Sequence, residues 1–412
     1  MNFSWQTNLD QAIDARAKQV IAVRRHIHTH PEASGKEYRT SRYLCQLLGE
    51  HGLDPQIGPD GRGLIVDSCK TDCEKIALRA DIDALGINDA KDVAYRSRHD
   101  GLMHACGHDV HAAILFGAIL ALVDLKNAGQ LPWPTHVRGV FQPAEETAMG
   151  AAEMVAAGAL KGVQAIMALH VDPTMTVGTV GLRNGVATAH CDELDIVLTG
   201  RGGHAARPHD TEDPIAAASQ LINSMYLTIP RVTDSQDAVV ISFGRIAGGK
   251  HSNVIPEQVH LWGTLRTLDT EVRKRSKNKI HLICQGIAVS TGVSIDVKIV
   301  QEIDSIYNDA AIVELLRGVS GELLGPGQVV QIPRPSMGSE DFSVYLKHVP
   351  GAMLRLGTAS PEKEETPLHT ASFDVDEEAI AMGTKILARS VVAWSQPRIV
   401  SGQSPKPAGL EK

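Results

Sequence analysis

Between Met103 and His111 the chain reads M-H-A-C-G-H-D-V-H, with three histidines, one cysteine and one aspartate in nine residues. The apolar run 112–123 follows directly. A metal site, a thiol catalyst or a polar helix start can each take this form. Thiolate, imidazole and carboxylate together are the donor set of Zn2+ and its borderline relatives. A metal site therefore needs further donors from elsewhere in the chain.

Three other segments offer them where an apolar run ends. Residues 76–80 run into Asp81 and Asp83, residues 137–141 into Q-P-A-E-E with Glu145 and Glu146, and residues 165–169 into His170. A late histidine, His369, stands in P-L-H-T. Ligands of open α/β sheets bind in the crevice beyond the carboxyl ends of the strands, so these distant residues are expected to converge. The candidate set is Cys106, His108, Glu145, Glu146, His170 and His369. The adjacent pair Glu145-Glu146 suggests a division of labour, one carboxylate on metal and the other taking a proton from water.

Each feature alone has a plainer reading. An E-E pair is most often a solvated face, a histidine after an apolar run a hydrogen-bonded structural residue, and Asp109 a carboxylate favoured by a helix dipole. Taken together, these readings need several unrelated coincidences at strand ends.

The elements that would position the set form a β/α alternation over the first 185 residues. Helical pattern covers 9–28, 36–51, the stretch after His111 and 150–157; strand-like runs fall at 63–66, 76–80, 135–141 and 165–169. This implies a layered α/β domain with a largely parallel sheet. From about residue 187 the order becomes β-α-β-β-α-β, with strands at 192–198, 238–246, 258–265 and 293–300 and helices at 213–227 and 270–290, which is the ferredoxin-like unit. After Tyr307 the α/β texture returns, with a helix at 310–324, a strand at 352–356 and a helix at 377–394. The expected division is a discontinuous catalytic domain, 1–186 and 302–412, with an inserted α+β unit, 187–301.

Bulk properties exclude other classes. At 412 residues, with 43% hydrophobic and 21% charged residues, two globular domains are the default. A net charge of −8 gives no nucleic-acid footprint. No run of about 18 apolar residues is apparent, so no membrane span is expected. The first 20 residues lack the apolar core of a secretory leader, and the six cysteines are scattered, unlike a disulfide framework. A cytoplasmic location is expected, with most cysteines as buried apolar fillers.

H-A-C-G-H-D, F-Q-P-A-E-E and A-L-H-V closely resemble three motifs of the amidohydrolase branch of the aminoacylase/carboxypeptidase metallohydrolases. That branch includes hippurate hydrolase, bacterial N-acyl-amino-acid hydrolases and hydrolases of auxin conjugates. R-R-H-I-H-T-H-P-E, L-R-A-D-I-D-A-L, G-R-G-G-H-A-A-R-P-H, N-V-I-P, G-S-E-D-F and L-H-T follow in the family's order, so the likeness spans nearly the whole chain. It departs at Gly86, where relatives commonly carry proline, which loosens a loop without removing a donor.

The resemblance implies a zinc-peptidase-like α/β/α catalytic domain with an inserted ferredoxin-like lid that mediates homodimerisation. It implies two divalent cations per subunit, zinc or manganese. Cys106 would bridge them, with His108, Glu146, His170 and His369 completing the ligands and Glu145 as general base. Asp81 would orient a ligand histidine. On the lid, His204 would stabilise the oxyanion, and Asn253 and Arg266 would hold the carboxylate of a small N-acyl amino acid. Glu340 and Asp341 would line the cleft; His104 and His111 gain no role. Rival readings are a dipeptidase or carboxypeptidase, an N-acetyl-amino-acid deacetylase, a thiol hydrolase using Cys106, and a non-catalytic binding protein. A thiol hydrolase leaves Glu145 and Glu146 without a task. A binding protein would have lost a ligand or the base, and every expected position is filled.

Overall fold

A computed structural model describes residues 4–69, 73–360, 362 and 366–397. The outer parts of the chain build one eight-stranded sheet between helices. At its centre Val137–Gln142, Lys75–Asp81, Val163–Thr176 and Gly351–Ala359 run parallel in that spatial order. The sheet is thus largely parallel as expected, with antiparallel pairs at its margins: Leu64–Asp67 with Val137–Gln142, and Val180–Leu182 with Gly351–Ala359. Only residues 177–179 separate Val163–Thr176 from Val180–Leu182, too short a link for the crossover that a parallel return requires.

Trp5–Thr29, His108–Asn127 and Glu378–Trp394 pack on one another over one face of the sheet, and Gly150–Ala156 with Ser343–Leu346 helps cover the other. His108–Asn127 corrects the reading that no run is apolar enough to cross a membrane. By length and composition it is, but 94% of that window is buried inside the molecule. A helix apolar all round belongs in a core; this one lies between the sheet and two other helices.

The start of that helix is fixed from two sides. Gly107 sits at φ +87°, and a Cβ there would lie 2.4 Å from Val171 Cγ2, so only glycine fits. One residue inside the helix, Asp109 is buried and accepts from Arg24 Nε at 2.7 Å and His28 Nδ1 at 2.8 Å. Arg24 also reaches Asp374 and Glu377. Asp109 is thus more than a dipole partner: it is the buried clamp through which the N-terminal R-R-H-I-H signature holds the metal-motif helix.

Residues 190–303 form a separate four-stranded antiparallel sheet, His190–Thr199, Val239–Gly248, Gln258–Thr267 and Ser294–Ile303, in spatial order second-third-first-fourth. Helices Pro214–Val232 and Thr270–Thr291 pack with it around their own apolar cluster. This is the ferredoxin-like unit read from periodicity. Of the cysteines, Cys106, Cys191 and Cys284 are buried, whereas Cys45, Cys69 and Cys73 are only partly so. The sulfurs of Cys69 and Cys73 lie 3.1 Å apart, so this pair is not apolar filling.

Arg24→Met leaves Asp109 with His28 alone in a buried setting. The expected loss is about 3–5 kcal/mol of unfolding free energy, measured as a fall in the urea midpoint at constant slope. A change within about 0.5 kcal/mol, the scale of surface substitutions, would contradict the clamp.

Candidate metal centre

The crevice at the carboxyl ends of the central strands gathers all six candidate donors. Cys106 precedes the core helix and His108 is its first residue; Glu145 and Glu146 follow strand Val137–Gln142. His170 was expected where a strand ends. It lies inside Val163–Thr176, which continues past it. His369 comes from the late loop, tied by its N–H to Ala105 O at 2.8 Å.

Cys106 Sγ stands 3.4 Å from His170 Nε2 and 3.3 Å from His369 Nε2. His369 Nε2 lies 3.5 Å from Glu146 Oε1, and His108 Nε2 lies 3.9 Å from Glu146 Oε1 and 4.0 Å from Glu145 Oε2. Donor triads Cys106–His108–His170 and Cys106–Glu146–His369 each fall within 4.8 Å and share the sulfur.

Hydrogen bonds fix the tautomers. His108 Nδ1 faces only acceptors, Asp83 Oδ1 at 2.9 Å and Asp83 O at 3.0 Å, so it keeps its proton, and Nε2 is the nitrogen left to meet a metal. His170 Nδ1 likewise donates to Val171 O at 2.8 Å, turning its Nε2 lone pair to Cys106. Among the described residues His108 Nε2 and Glu146 Oε1 are buried with no hydrogen-bond partner. A thiol has one proton and cannot satisfy both the His170 lone pair and the Glu146 carboxylate. Buried acceptors without donors are costly, and a divalent cation is what this donor set lacks. The residues fit the metal.

Charge points the same way. Burial pushes the Cys106 thiol far above its ordinary range. Burial and the Glu340 and Asp341 carboxylates hold Glu145 well above the carboxylate range, and burial likewise raises Glu146. Burial opposes a charge on His108, but Asp81, Cys106 and Asp83 outweigh it and raise that imidazole well above its usual value. In this field a group that loses its proton needs a cation in its place. His170 is held neutral, well below its ordinary value, by burial.

The site is also where the backbone is strained. Of four described non-glycine residues with positive φ, three are Ala144 (53°), Ala148 (51°) and His369 (59°), flanking the Glu145-Glu146 pair or supplying a donor. Such conformations cost roughly 1–3 kcal/mol each and persist where surroundings impose them. Glu37, which sequence reading passed over, accepts from Ala144 N at 3.0 Å and Gly35 N at 2.6 Å. Burial and nearby Asp83 raise its carboxyl to about 7.

Three expectations change. Asp81 orients a histidine, but not a candidate ligand: it binds His111 Nδ1 at 2.6 Å and Arg79 at 2.6 Å. His111 Nε2 in turn accepts from Val171 N at 3.0 Å, which leaves it no free nitrogen and steadies the strand beside His170. Asp83 orients His108 and also accepts from Glu146 N at 2.9 Å. The D-I-D spacing puts both acids on one face, and both reach the core helix, Asp81 at His111 and Asp83 at His108. Glu340 and Asp341 serve as buried partners of Arg79, and Asp341 takes two bonds from Gln142. Burial raises Asp341 to about 8.

The lid candidates form a second group. His204 is exposed in a short strand, Gly203–His204, paired with Val254–Ile255, and its Nδ1 accepts from Ala206 N at 3.0 Å. The carbonyl of Asn253 accepts from Ala205 N at 3.0 Å, so His204 and Asn253 lie at one end of the same two-stranded antiparallel ladder. Arg266, on Gln258–Thr267, donates through Nη1 to Met337 O at 2.9 Å, joining the lid to the G-S-E-D-F loop. The structure records no contact from these three to the six-donor cluster among the described residues.

Asp83→Asn removes the acceptor that keeps His108 in its binding tautomer. Metal affinity, measured by chelator competition, is expected to fall about 10- to 100-fold. Unchanged affinity would show that Asp83 does not position His108.

The comparisons agree with this geometry. An N-acetyl-L-cysteine deacetylase of Bacillus subtilis is 37% identical over 90% of this chain and 87% of its own. Thermostable carboxypeptidase 2 of Saccharolobus solfataricus is 34% identical over 91% of this chain and 94% of its own. A Bacillus subtilis crystal structure, described as a dinuclear metal-binding peptidase of the M20 family, superposes with a TM-score of 0.76 at 33% identity, covering 92% of this chain and 98% of that one. The family model for peptidase family M20/M25/M40 matches residues 77–393, and the chain belongs to that family of hydrolases.

Proposed function

We propose that this M20 hydrolase is a two-metal amidohydrolase that cleaves N-acyl amino acids, adding water to give a carboxylic acid and a free amino acid. The observation that carries the reading is Glu145, a carboxylate with no hydrogen-bond donor among the described residues, 4.0 Å from His108 Nε2 at the edge of the donor cluster. Cys106, His108, Glu146, His170 and His369 would hold two divalent cations, zinc or manganese, whose Lewis acidity activates a water and polarises the amide carbonyl.

The chain's own groups do the rest. Glu145 takes the proton of the attacking water and passes it to the departing amine nitrogen. His204 donates to the negative charge that grows on the carbonyl oxygen. Because His204 is exposed on the lid, this role requires the lid to close over the crevice or a second copy to present it. The unengaged part of the Arg266 guanidinium and the Asn253 amide hold the substrate's α-carboxylate. Closure over that carboxylate aligns the amide and excludes bulk water. A deacetylase of N-acetylated amino acids falls within this class; a carboxypeptidase uses the same machinery on a peptide amide.

Glu145→Gln is expected to retain full metal stoichiometry and to lose turnover by about 10²- to 10⁴-fold; full activity would remove Glu145 from the reaction. Hydrolysis rates with defined metals test the substrate class, comparing N-acyl amino acids, dipeptides and the corresponding amides without a free carboxylate. Faster turnover of N-acyl amino acids, lost with the carboxylate, is expected. A preference for dipeptides would transfer the enzyme to the peptidase reading.

A further inference from the structure

Beside the cluster lies a cavity of about 440 Å³ that the reaction as described does not use. Its wall includes Val171 and Leu368, the chain neighbours of His170 and His369. Arg355 reaches it from the central strand Gly351–Ala359, where it is the direct parallel register partner of His170. Paired residues on neighbouring strands project to the same face about 4.8 Å apart, so this guanidinium stands alongside the donor cluster.

The charge of the cavity is one-sided. Arg183, Arg334 and Arg355 line it against a single acid, Asp172. The Asp172 carboxylate is turned to its own loop, accepting from Thr174 N at 3.0 Å and Thr174 Oγ1 at 2.6 Å. Arg183 is fixed in the wall by the carbonyls of Val186, Ile332 and Pro333, none of which neutralises it. No carboxylate among the described residues forms an ion pair with Arg355 or Arg334. The buried arginines Arg24, Arg79 and Arg273 each have two or more carboxylates, whereas Arg355 is half-buried and Arg334 exposed. A half-open hollow with unmatched guanidiniums is a site for an anion, and its volume is that of a small-ligand pocket.

We propose that this cavity binds a carboxylate at the far end of the substrate's acyl group, so that the enzyme selects amides of dicarboxylic acids. The inference rests on the N-acyl amino acid reading. There the lid's Arg266 and Asn253 take the amino-acid half, and the cavity, built by residues outside the four-stranded unit 190–303, is left for the acyl half. Arg355 and Arg334 are the specificity residues. The reaction remains hydrolysis: an N-succinyl amino acid plus water gives succinate and the amino acid.

The test compares kcat/KM for N-succinyl-L-alanine and N-pentanoyl-L-alanine, acyl groups of similar reach with and without the terminal charge. Wild type is expected to favour the succinyl substrate by about tenfold or more, the scale of one charged hydrogen bond. Arg355→Met is expected to remove most of that ratio, and Arg355→Lys to keep part of it. Reading a ratio separates selectivity from general loss of activity. An equal or inverted ratio in wild type overturns the proposal while leaving amide hydrolysis standing. So does a preference for N-acetyl-L-glutamate over N-acetyl-L-glutamine that Arg355→Met removes, because the anion would then sit on the amine half. Thermal protection by succinate against butyrate reads the cavity without turnover. Stronger protection by succinate in wild type, lost in Arg355→Met, supports the pocket even if N-acyl amino acids prove not to be substrates; equal protection overturns it.

Discussion

Acceptors outnumber donors in the crevice, and the rest of the molecule answers to that imbalance. One thiol, three imidazole nitrogens and a carboxylate oxygen face one another at hydrogen-bond and ion-pair distances. Behind them Asp81, Glu340 and Asp341 crowd onto one buried cation, Arg79. In a low-dielectric interior such an arrangement is unfavourable unless protons or cations fill it. Burial, with neighbouring carboxylates, raises Glu145, Glu146 and Cys106, so their charged forms need a cation beside them.

The fold holds these groups in place by features remote from the chemistry. The apolar core helix presents His108 at its first residue because Gly107 turns sharply against Val171 and Asp109 is gripped by Arg24 and His28. Asp83 ties His108 to the Glu146 backbone, so two donors from different segments depend on one carboxylate. The left-handed turns at Ala144, Ala148 and His369 survive because Glu37, Ala105 and the flanking backbone occupy their polar groups. Strain concentrated at three places around one cluster is typical of a functional site rather than of packing.

Much of this was legible in the chain. Helix 310–324 appears as Ala310–Leu324, and the inserted β-α-β-β-α-β unit follows its periodicity closely, since amphipathic periods report directly on which face is buried. Glu145 and Glu146 follow a strand end as expected, whereas Cys106 and His108 open a helix, His170 lies within a strand and His369 in a late loop, so donor chemistry more than position grouped the six. What failed were choices between near-equivalent positions. Asp81 and Asp83 differ by two residues on one strand end, and only the packed histidines show which acid serves which ring. The extent of strand Val163–Thr176 was cut short at His170 because a polar residue in a buried strand looks like its end. The membrane-length helix was missed because Gly117, Asp124 and the motif histidines interrupt its apolar run in sequence, although not in space. Arg355 gave no signal at all: one arginine in a strand is ordinary until its neighbours prove to lack a carboxylate.

The central claim is that one sulfur and its surrounding imidazoles and carboxylates hold a pair of cations next to a carboxylate that holds none. Anomalous diffraction from crystals grown with manganese or zinc measures this directly. The account predicts two peaks per chain, both within bonding distance of Cys106 Sγ, with the Glu145 side chain beside them and unligated. A single peak, a pair distant from Cys106, or Glu145 bound as a ligand would contradict it.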